Sequence, residues 1–335
     1  MACGFAGHPI LSAFSRRSAP PGRSMSETET SRLTVTDEGQ GVRLDTFLAN
    51  RLGAVSRSQI GRWIRAGCVE VDGRPRKPGY ALSCGQNVLV HPPQPEPTTL
   101  VPEDLPLEIL YEDDCMVVLN KQAGIVVHPG AGNWRGTLAN ALAYHWERLS
   151  YGASLRPGIV HRLDKGTSGV LLVAKDEVSH EALAREFRER RVAKTYTALL
   201  HGRLEPKSGT IDLAIGRDRN VRTKISPRSG RARPAVTHYE VVRYLHGFTL
   251  VSAHPLTGRT HQIRVHFHDR GHPVVGDPTY RLRNPSRLSG PLAGFDRLFL
   301  HAASLEIRHP RTNEIMRFEA PLPRVLEDLI ATLGE

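Results

Sequence analysis

A carboxylate set between two cations is the feature of this chain best suited to chemistry. His161-Arg162-Leu163-Asp164-Lys165 runs into Gly166-Thr167-Ser168-Gly169 and then into Val170-Leu171-Leu172-Val173-Ala174 and Lys175. Positive charge on either side favours the ionised form of Asp164. A glycine-punctuated turn followed by a short β-branched run predicts a loop entering a buried strand, a setting in which a scaffold can hold a reactive group. The plain alternative is a solvated salt bridge ahead of a strand. Arg43-Leu44-Asp45 repeats the tripeptide and acts as a control: Leu44, Phe47, Leu48 and Leu52 follow at helical spacing, so Asp45 reads as a first-turn acid favoured by the helix dipole. No glycine turn or strand follows it.

Two other segments carry polar groups in strand-like settings. Lys194-Thr195-Tyr196-Thr197-Ala198-Leu199-Leu200 is a β-branched run, in which Tyr196 by itself is an ordinary half-buried strand tyrosine. Leu256 to Phe267 alternates and predicts a strand with Ile263, Val265 and Phe267 on one face and Gln262, Arg264 and His266 on the other. That histidine-bearing face could bind a divalent metal, but acid ligands and a fixed metal-site spacing are missing.

The elements around these segments fall into two domains. Residues 1–26 contain no acid, three arginines and five serines, the composition of a transit peptide. Prolines interrupt any targeting helix, so the expectation for residues 1–30 is a disordered extension or a start at Met25. A compact unit is expected over 31–92: a helix from Arg43 to Leu52, a second from Ser56 with Gln59 in capping-box position, and Gly67 ending it. In that second helix Ile60, Trp63 and Ile64 face inward and Arg62 and Arg65 outward. Val69 and Val71 then alternate into an Asp72-Gly73 hairpin turn, followed by basic Arg74, Arg76 and Lys77. Six prolines between Pro92 and Pro106 mark a stiff linker over 93–106. The second domain, 107–330, opens with strands at 109–114 and 116–121, continues with helices at 137–146 and 180–191, and holds the segments above.

Across 335 residues the net charge is +11, which calls for a polyanionic partner: RNA, DNA or an acidic membrane surface. No apolar run approaches a membrane span. Cys3, Cys68, Cys84 and Cys115 are widely spaced, against a zinc ribbon or disulfide scaffold and in favour of a reducing compartment. No Rossmann or P-loop glycine string is present. Seven basic residues between Arg217 and Arg233, among them Arg217, Arg219, Arg222 and Lys224, face one acid, Asp218. They are either phosphate contacts or a solvated loop that orders on binding.

His-Arg-Leu-Asp-x-x-Thr-Ser-Gly with a closing Ala-Lys resembles the catalytic signature of the RluA family of RNA pseudouridine synthases. Further matches are Lys121 to Gly130 (with Gln122 where the family has proline), Leu256 to Phe267, Gly271 to Tyr280 and Leu298 to Ala302. The unit at 31–92 resembles the S4 RNA-binding module. The resemblance covers most of 107–320 and looks closest to members acting on large-subunit ribosomal RNA. It implies an α+β fold, a mixed and largely antiparallel sheet domain behind a small S4-like α/β domain. It implies Asp164 as the catalytic aspartate, acting as nucleophile or base, Tyr196 stacked on the target base and taking part in removing the C5 proton, and Arg264 paired with Asp164. Arg162 would fill the space left by a flipped base, with Arg62, Arg65, Lys77, Arg217, Arg219, Arg222 and Lys224 as RNA contacts. Gly166 departs from close relatives, which often carry an acid there, and bears on substrate contacts. The expected partner is large-subunit ribosomal RNA, at the helix 69 loop, with no DNA and no membrane, no cofactor and no metal, in a cytoplasmic monomer. A non-catalytic ribosome-assembly factor and a metal-dependent nuclease are the competing classes.

Overall fold

The computed structural model describes residues 30–334 apart from 54, 94–98, 131–132, 147–148, 150–156, 222–223, 283–291 and 293. The choice of translation start lies outside the described residues. The chain forms one compact unit up to residue 96 and a second from residue 97.

In the smaller unit, β1 (Ser31–Thr34), α1 (Leu44–Leu52), α2 (Arg57–Arg65), β2 (Val69–Val71), β3 (Arg74–Pro75) and β4 (Asn87–Val90) follow one another. The strands make an antiparallel sheet in the order β1-β4-β2-β3. Ser56 caps α2 by accepting the Gln59 N–H at 3.3 Å, leaving one fewer orphan donor at the helix start. Ile60 and Ile64 are buried with Leu44, Leu48, Val69 and Val88, Trp63 packs against them, and Arg62 and Arg65 stay exposed. Asp72 and Gly73 take φ of 50° and 70°, the left-handed pair that a tight hairpin turn requires. Asp45, the control acid, is bound by Arg43 at 3.0 Å and Arg57 at 3.2 Å. The hydrogen bond from Arg43 is the main reason its carboxyl falls to about 2.

The larger unit contains β5 (Ile109–Glu112), β6 (Met116–Lys121), α3 (Leu138–His145), β7 (Ser168–Ala174), α4 (Glu177–Arg188) and β8 (Ala193–His201). Then come β9 (Ser208–Asp212), β10 (Gly216–Arg217), β11 (Ile225–Ser226), β12 (Val236–Leu245), β13 (Phe248–Pro255), α5 (Gln262–Asp269), β14 (Leu300–Arg308), β15 (Ile315–Glu319) and α6 (Arg324–Leu333). Among the described residues nine strands form one sheet in the order β5-β6-β7-β14-β8-β13-β12-β9, with β15 paired to β14. Its pairings are antiparallel except β7 with β14. Residues 101–105 run along α3: Asn140 Nδ2 donates to Val101 O at 2.8 Å and the Glu103 N–H to Asn140 O at 3.0 Å.

Strand β7 reads as an unbroken apolar run because both its faces are covered. Val170 and Leu172 enter one core with Met116 and Val118, while Leu171 and Val173 enter another with Val117 and Leu119. At its start Gly169 has φ of +113°, and a Cβ there would lie 2.1 Å from Ala302 O. Glycine is what lets β7 and β14 approach, and that approach sets the loop before β7.

One expected element is replaced. The segment containing Arg264 is the helix α5, not an alternating strand. Every residue from Gln262 to Phe267 is buried, so the alternation carried no information about which face meets solvent. Ile263 and Phe267, four apart, enter one core, and Val265 enters a separate cluster with Ile215 and Tyr280. A helix buried on all sides has no polar stripe to reveal its period.

Candidate active site

Asp164 sits in the loop before β7, its carbonyl accepting the Thr167 N–H at 3.0 Å. Its carboxylate Oδ2 accepts from Arg264 Nη1 at 2.9 Å. Arg264 is 5% exposed and is committed on two sides: Nε and Nη2 donate to Asp277 Oδ2 and Oδ1 at 2.7 and 2.8 Å. Asp277 is buried, and its Oδ1 also accepts the N–H groups of Thr279 and Tyr280 at 2.8 and 3.0 Å. Burial works against the charge on Arg264, but the hydrogen bond and attraction to Asp277, joined by Asp164, outweigh it and raise the guanidinium further. A bidentate acceptor that cannot turn thus aims the third N–H group at Asp164.

The start of α5 is tied down by Gln262, 4% exposed. Its Oε1 accepts the Thr257 hydroxyl at 2.6 Å and the Arg259 N–H at 3.0 Å, and its Nε2 donates to Val236 O and Thr237 Oγ1, both at 2.9 Å.

Beneath the Asp164 loop, Lys121 at the end of β6 is 2% exposed. Its Nζ donates to Gln122 O at 2.7 Å and Thr167 O at 2.9 Å. Burial brings this amine down to about 7, opposed by the charge of Asp164 and reinforced by Arg297. Ser168 Oγ lies 2.9 Å from His301 Nδ1 and accepts from Arg297 Nη2 at 3.0 Å, fixing the first residue of β7 to β14. His161 Nε2 accepts the Leu172 N–H at 2.8 Å and its ring stacks on Phe187 at 4.6 Å. Burial takes that imidazole to about 3. At Gly166 a Cβ would stand 3.2 Å from the Leu298 Cβ, so an acid there would need Leu298 to give.

Tyr196 lies in β8 opposite Ala253 of β13 and Ala302 of β14; two small neighbours on its face leave its ring free to line a cavity. That cavity, about 630 Å³, is lined by Asp164, Tyr196 and Arg264 together. Asp164 is its only acid among the described residues, against Arg162, Arg188, Arg190, Lys194, Arg233 and Arg259. Burial, then the charge of Asp164, pushes the Tyr196 phenol up. Burial brings the Lys194 amine down to about 8.

Of the residues singled out from sequence, Asp164, Tyr196, Arg264 and Arg162 share this cavity. Arg217, Arg219 and Lys224 are exposed on the hairpin of β10 and β11, outside its lining, and Lys224 borders a second opening with His268 and Arg281. Arg62, Arg65 and Lys77 are exposed on the smaller unit. Arg222 lies outside the described residues. Sequence reasoning missed Arg188, Arg190, Lys194, Arg259, Asp277 and Lys121, while Arg233 was read as the end of the basic run that starts at Arg217. For the cations the only signal was the overall basic balance; for Asp277 it was Gly276-Asp277-Pro278, a turn string in a matched motif.

Among the described residues Asp113, Cys115 and His309 come together as a grouping of metal-ligand type. Its imidazole and carboxylate are already engaged. His309 Nε2 donates to Asp113 Oδ2 at 2.9 Å, its Nδ1 accepts from the Arg311 and Thr312 N–H groups, and Asp113 Oδ1 accepts from Cys115 and Met116.

A mixed, largely antiparallel sheet that opens a cation-lined cavity over a single arginine-held aspartate defines an enzyme built for an anionic polymer. Residues 115–269 match the family model described as RNA pseudouridylate synthase, and residues 42–88 match the S4 domain. The chain is 42% identical to "Uncharacterized RNA pseudouridine synthase YlyB" of Bacillus subtilis, over 90% of this chain and 97% of that protein. It is also 42% identical to "Ribosomal large subunit pseudouridine synthase D" of Neisseria meningitidis, over 92% of this chain and 84% of that one. The solved structure "Human RNA Pseudouridylate Synthase Domain Containing 1" superposes with a TM-score of 0.55 at 30% identity, covering 68% of this chain and 89% of the human one. This chain belongs to the RNA pseudouridine synthases, and is an isomerase with an S4 domain in front. No helix among the described residues is long and apolar enough to cross a membrane.

Proposed function

We propose that this enzyme converts uridine to pseudouridine in large-subunit ribosomal RNA, with Asp164 as the reacting carboxylate and the helix 69 loop as target. The observation that carries the reading is Asp164 itself: the single acid among the described residues lining a cavity that also holds several cations, with its direction set by Arg264. The relatives named large-subunit synthases and the S4 match support the choice of RNA. Cations around the cavity contact phosphates and set register, while the target nucleotide is flipped out of its stack into the cavity and Arg162 fills the gap.

The reaction breaks the bond from C1′ to N1, whose electron pair leaves with the uracil. Asp164 either adds to C1′ or takes the C2′ proton. The uracil turns, C5 attacks C1′ with that electron pair, and Asp164 is released in its starting form. The proton lost from C5 is balanced by one gained at N1, so no oxidant, reductant or energy source enters. Tyr196 packs on the uracil; a phenol pushed up by burial and by Asp164 begins protonated, and takes the C5 proton only by passing its own on.

The test is tritium release from ribosomal RNA labelled at C5 of uridine, prepared from cells lacking this protein. Wild type releases tritium and Asp164→Asn does not. Release by Asp164→Asn at the wild-type rate removes Asp164 from the chemistry, and no release by either enzyme from free RNA or intact subunits removes ribosomal RNA as substrate.

A further inference from the structure

His261 is the residue before α5 and has φ of +55°, a left-handed conformation uncommon for a residue with a side chain and costly unless the surroundings enforce it. The conformation turns the imidazole into the cavity, with Nε2 at 4.0 Å from Asp164 Oδ2. On the ring's other side, Nδ1 lies 2.9 Å from the Tyr280 hydroxyl. That hydroxyl already accepts the Ile225 N–H at 3.0 Å. Among the described residues Nδ1 is the acceptor in reach of its proton, so the phenol donates to Nδ1 and the hydrogen of the neutral ring sits on Nε2. Burial keeps the ring below its ordinary pKa although Asp164 pulls the other way, which favours this neutral form. A fixed N–H donor therefore faces the cavity beside the reacting carboxylate, and the mechanism above leaves it unused.

We propose that His261 is a catalytic residue that hydrogen-bonds the uracil through Nε2, at O2 while the base leaves and at O4 while it returns. This rests on the reading of Asp164 as the carboxylate that acts at the sugar. A donor 4.0 Å from that carboxylate lies beside the glycosidic bond, and the uracil acceptor next to N1 is O2. When the bond breaks, the electron pair from C1′–N1 spreads onto O2 and O4, and a preorganised donor stabilises such charge without reorganising. A half-turn of the ring about the axis through N3 and C6 brings C5 to C1′, and it is the turn that a single fixed donor selects over rotation in the ring plane. That turn exchanges N1 with C5 and O2 with O4, so the donor that held O2 meets O4. One immobile N–H group serves both halves of the isomerisation, which explains why it is locked on its far side by Tyr280.

The experiment uses a stem-loop carrying the target uridine mapped in RNA from cells lacking the protein, with uridine or 2-thiouridine at that position, in single turnover with full-length enzyme. His261→Gly removes the donor and suits the left-handed backbone; His261→Gln restores an N–H group at similar reach. Loss of such a donor lowers the rate by about 10²- to 10³-fold, with RNA affinity within threefold of wild type. Sulfur accepts hydrogen bonds poorly, so the ratio of uridine to 2-thiouridine rates falls at least tenfold from wild type to His261→Gly and recovers in His261→Gln. Comparing ratios cancels any effect of sulfur on the leaving group. An unchanged ratio in His261→Gly, or a loss confined to RNA affinity, overturns the proposal whatever the overall rate. Activity of Asp164→Asn on the same stem-loop would instead overturn the reading of Asp164.

Discussion

Two acids share the guanidinium of Arg264, and removing them has opposite consequences. Asp277→Ala takes away both acceptors of Arg264 Nε and Nη2, at 2.7 and 2.8 Å. It also strips the N–H groups of Thr279 and Tyr280 of their acceptor. The Asp277 side chain is 0% exposed and that of Arg264 6%, so water cannot replace what is lost. Breaking a buried pair from one side costs about 3–5 kcal/mol. Asp164→Ala removes one contact from a carboxylate that is 18% exposed and leaves Arg264 paired to Asp277, a loss of about 1 kcal/mol. Urea unfolding of the full chain resolves the two. A Trp63→Phe background leaves Trp134 and Trp146, both in the larger unit, as reporters. The expected order is a large drop for Asp277→Ala with residual activity limited by stability, and a near-native midpoint for Asp164→Ala with no activity. An Asp277→Ala loss below about 1 kcal/mol, the scale of an exposed pair, would refute the view that Asp277 holds the arginine that aims at Asp164.

The buried amine of Lys121 gives a pH signature. Its folded value of about 7 lies below the ordinary 10.5, so between those pH values the unfolded chain binds more protons and stability rises with pH, by at most roughly 1.4 kcal/mol per unit for this group. Lys121→Met flattens that rise in urea melts at pH 7.5, 8.5 and 9.5; parallel wild-type and mutant slopes would mean that Lys121 is charged in the fold. At the cavity rim, Arg190→Ala and Arg233→Ala should each weaken RNA binding uniformly across sequences and lower the slope of log affinity against log salt by about 1. A filter-binding salt titration with an unchanged slope would remove these arginines from the phosphate contacts.

Much of this protein is legible in its sequence because the information is local. The loop before β7 follows from a glycine-rich turn meeting an apolar run, and that run stays apolar because each face of β7 fills a different core. Ser56, Gly67 and the Asp72-Gly73 turn specify the smaller unit by capping and by left-handed backbone, both properties of a few adjacent residues. Arg43-Leu44-Asp45 could be set aside without a structure, since its context spelled a helix start. The motif strings that mark the family are likewise short and contiguous, which is why Asp164, Tyr196 and Arg264 could be picked out one at a time.

What the tertiary structure alone decided is how those residues meet. Arg264 is 100 positions from Asp164, and its direction depends on Asp277, whose buried carboxylate is indistinguishable in sequence from a turn residue. Its helix reads as a strand because a segment buried on every side shows no amphipathic period. The cavity cations come from the loop before β7, the end of α4 and the turn after it, β8, the stretch before β12 and the turn before α5, and nothing in the chain says that these separate basic residues converge. Lys121 looks like a solvent-exposed strand end until the loop of Asp164 closes over it. Charge, burial and hydrogen-bond direction at the site are properties of neighbours distant in sequence, and only packing supplies those neighbours.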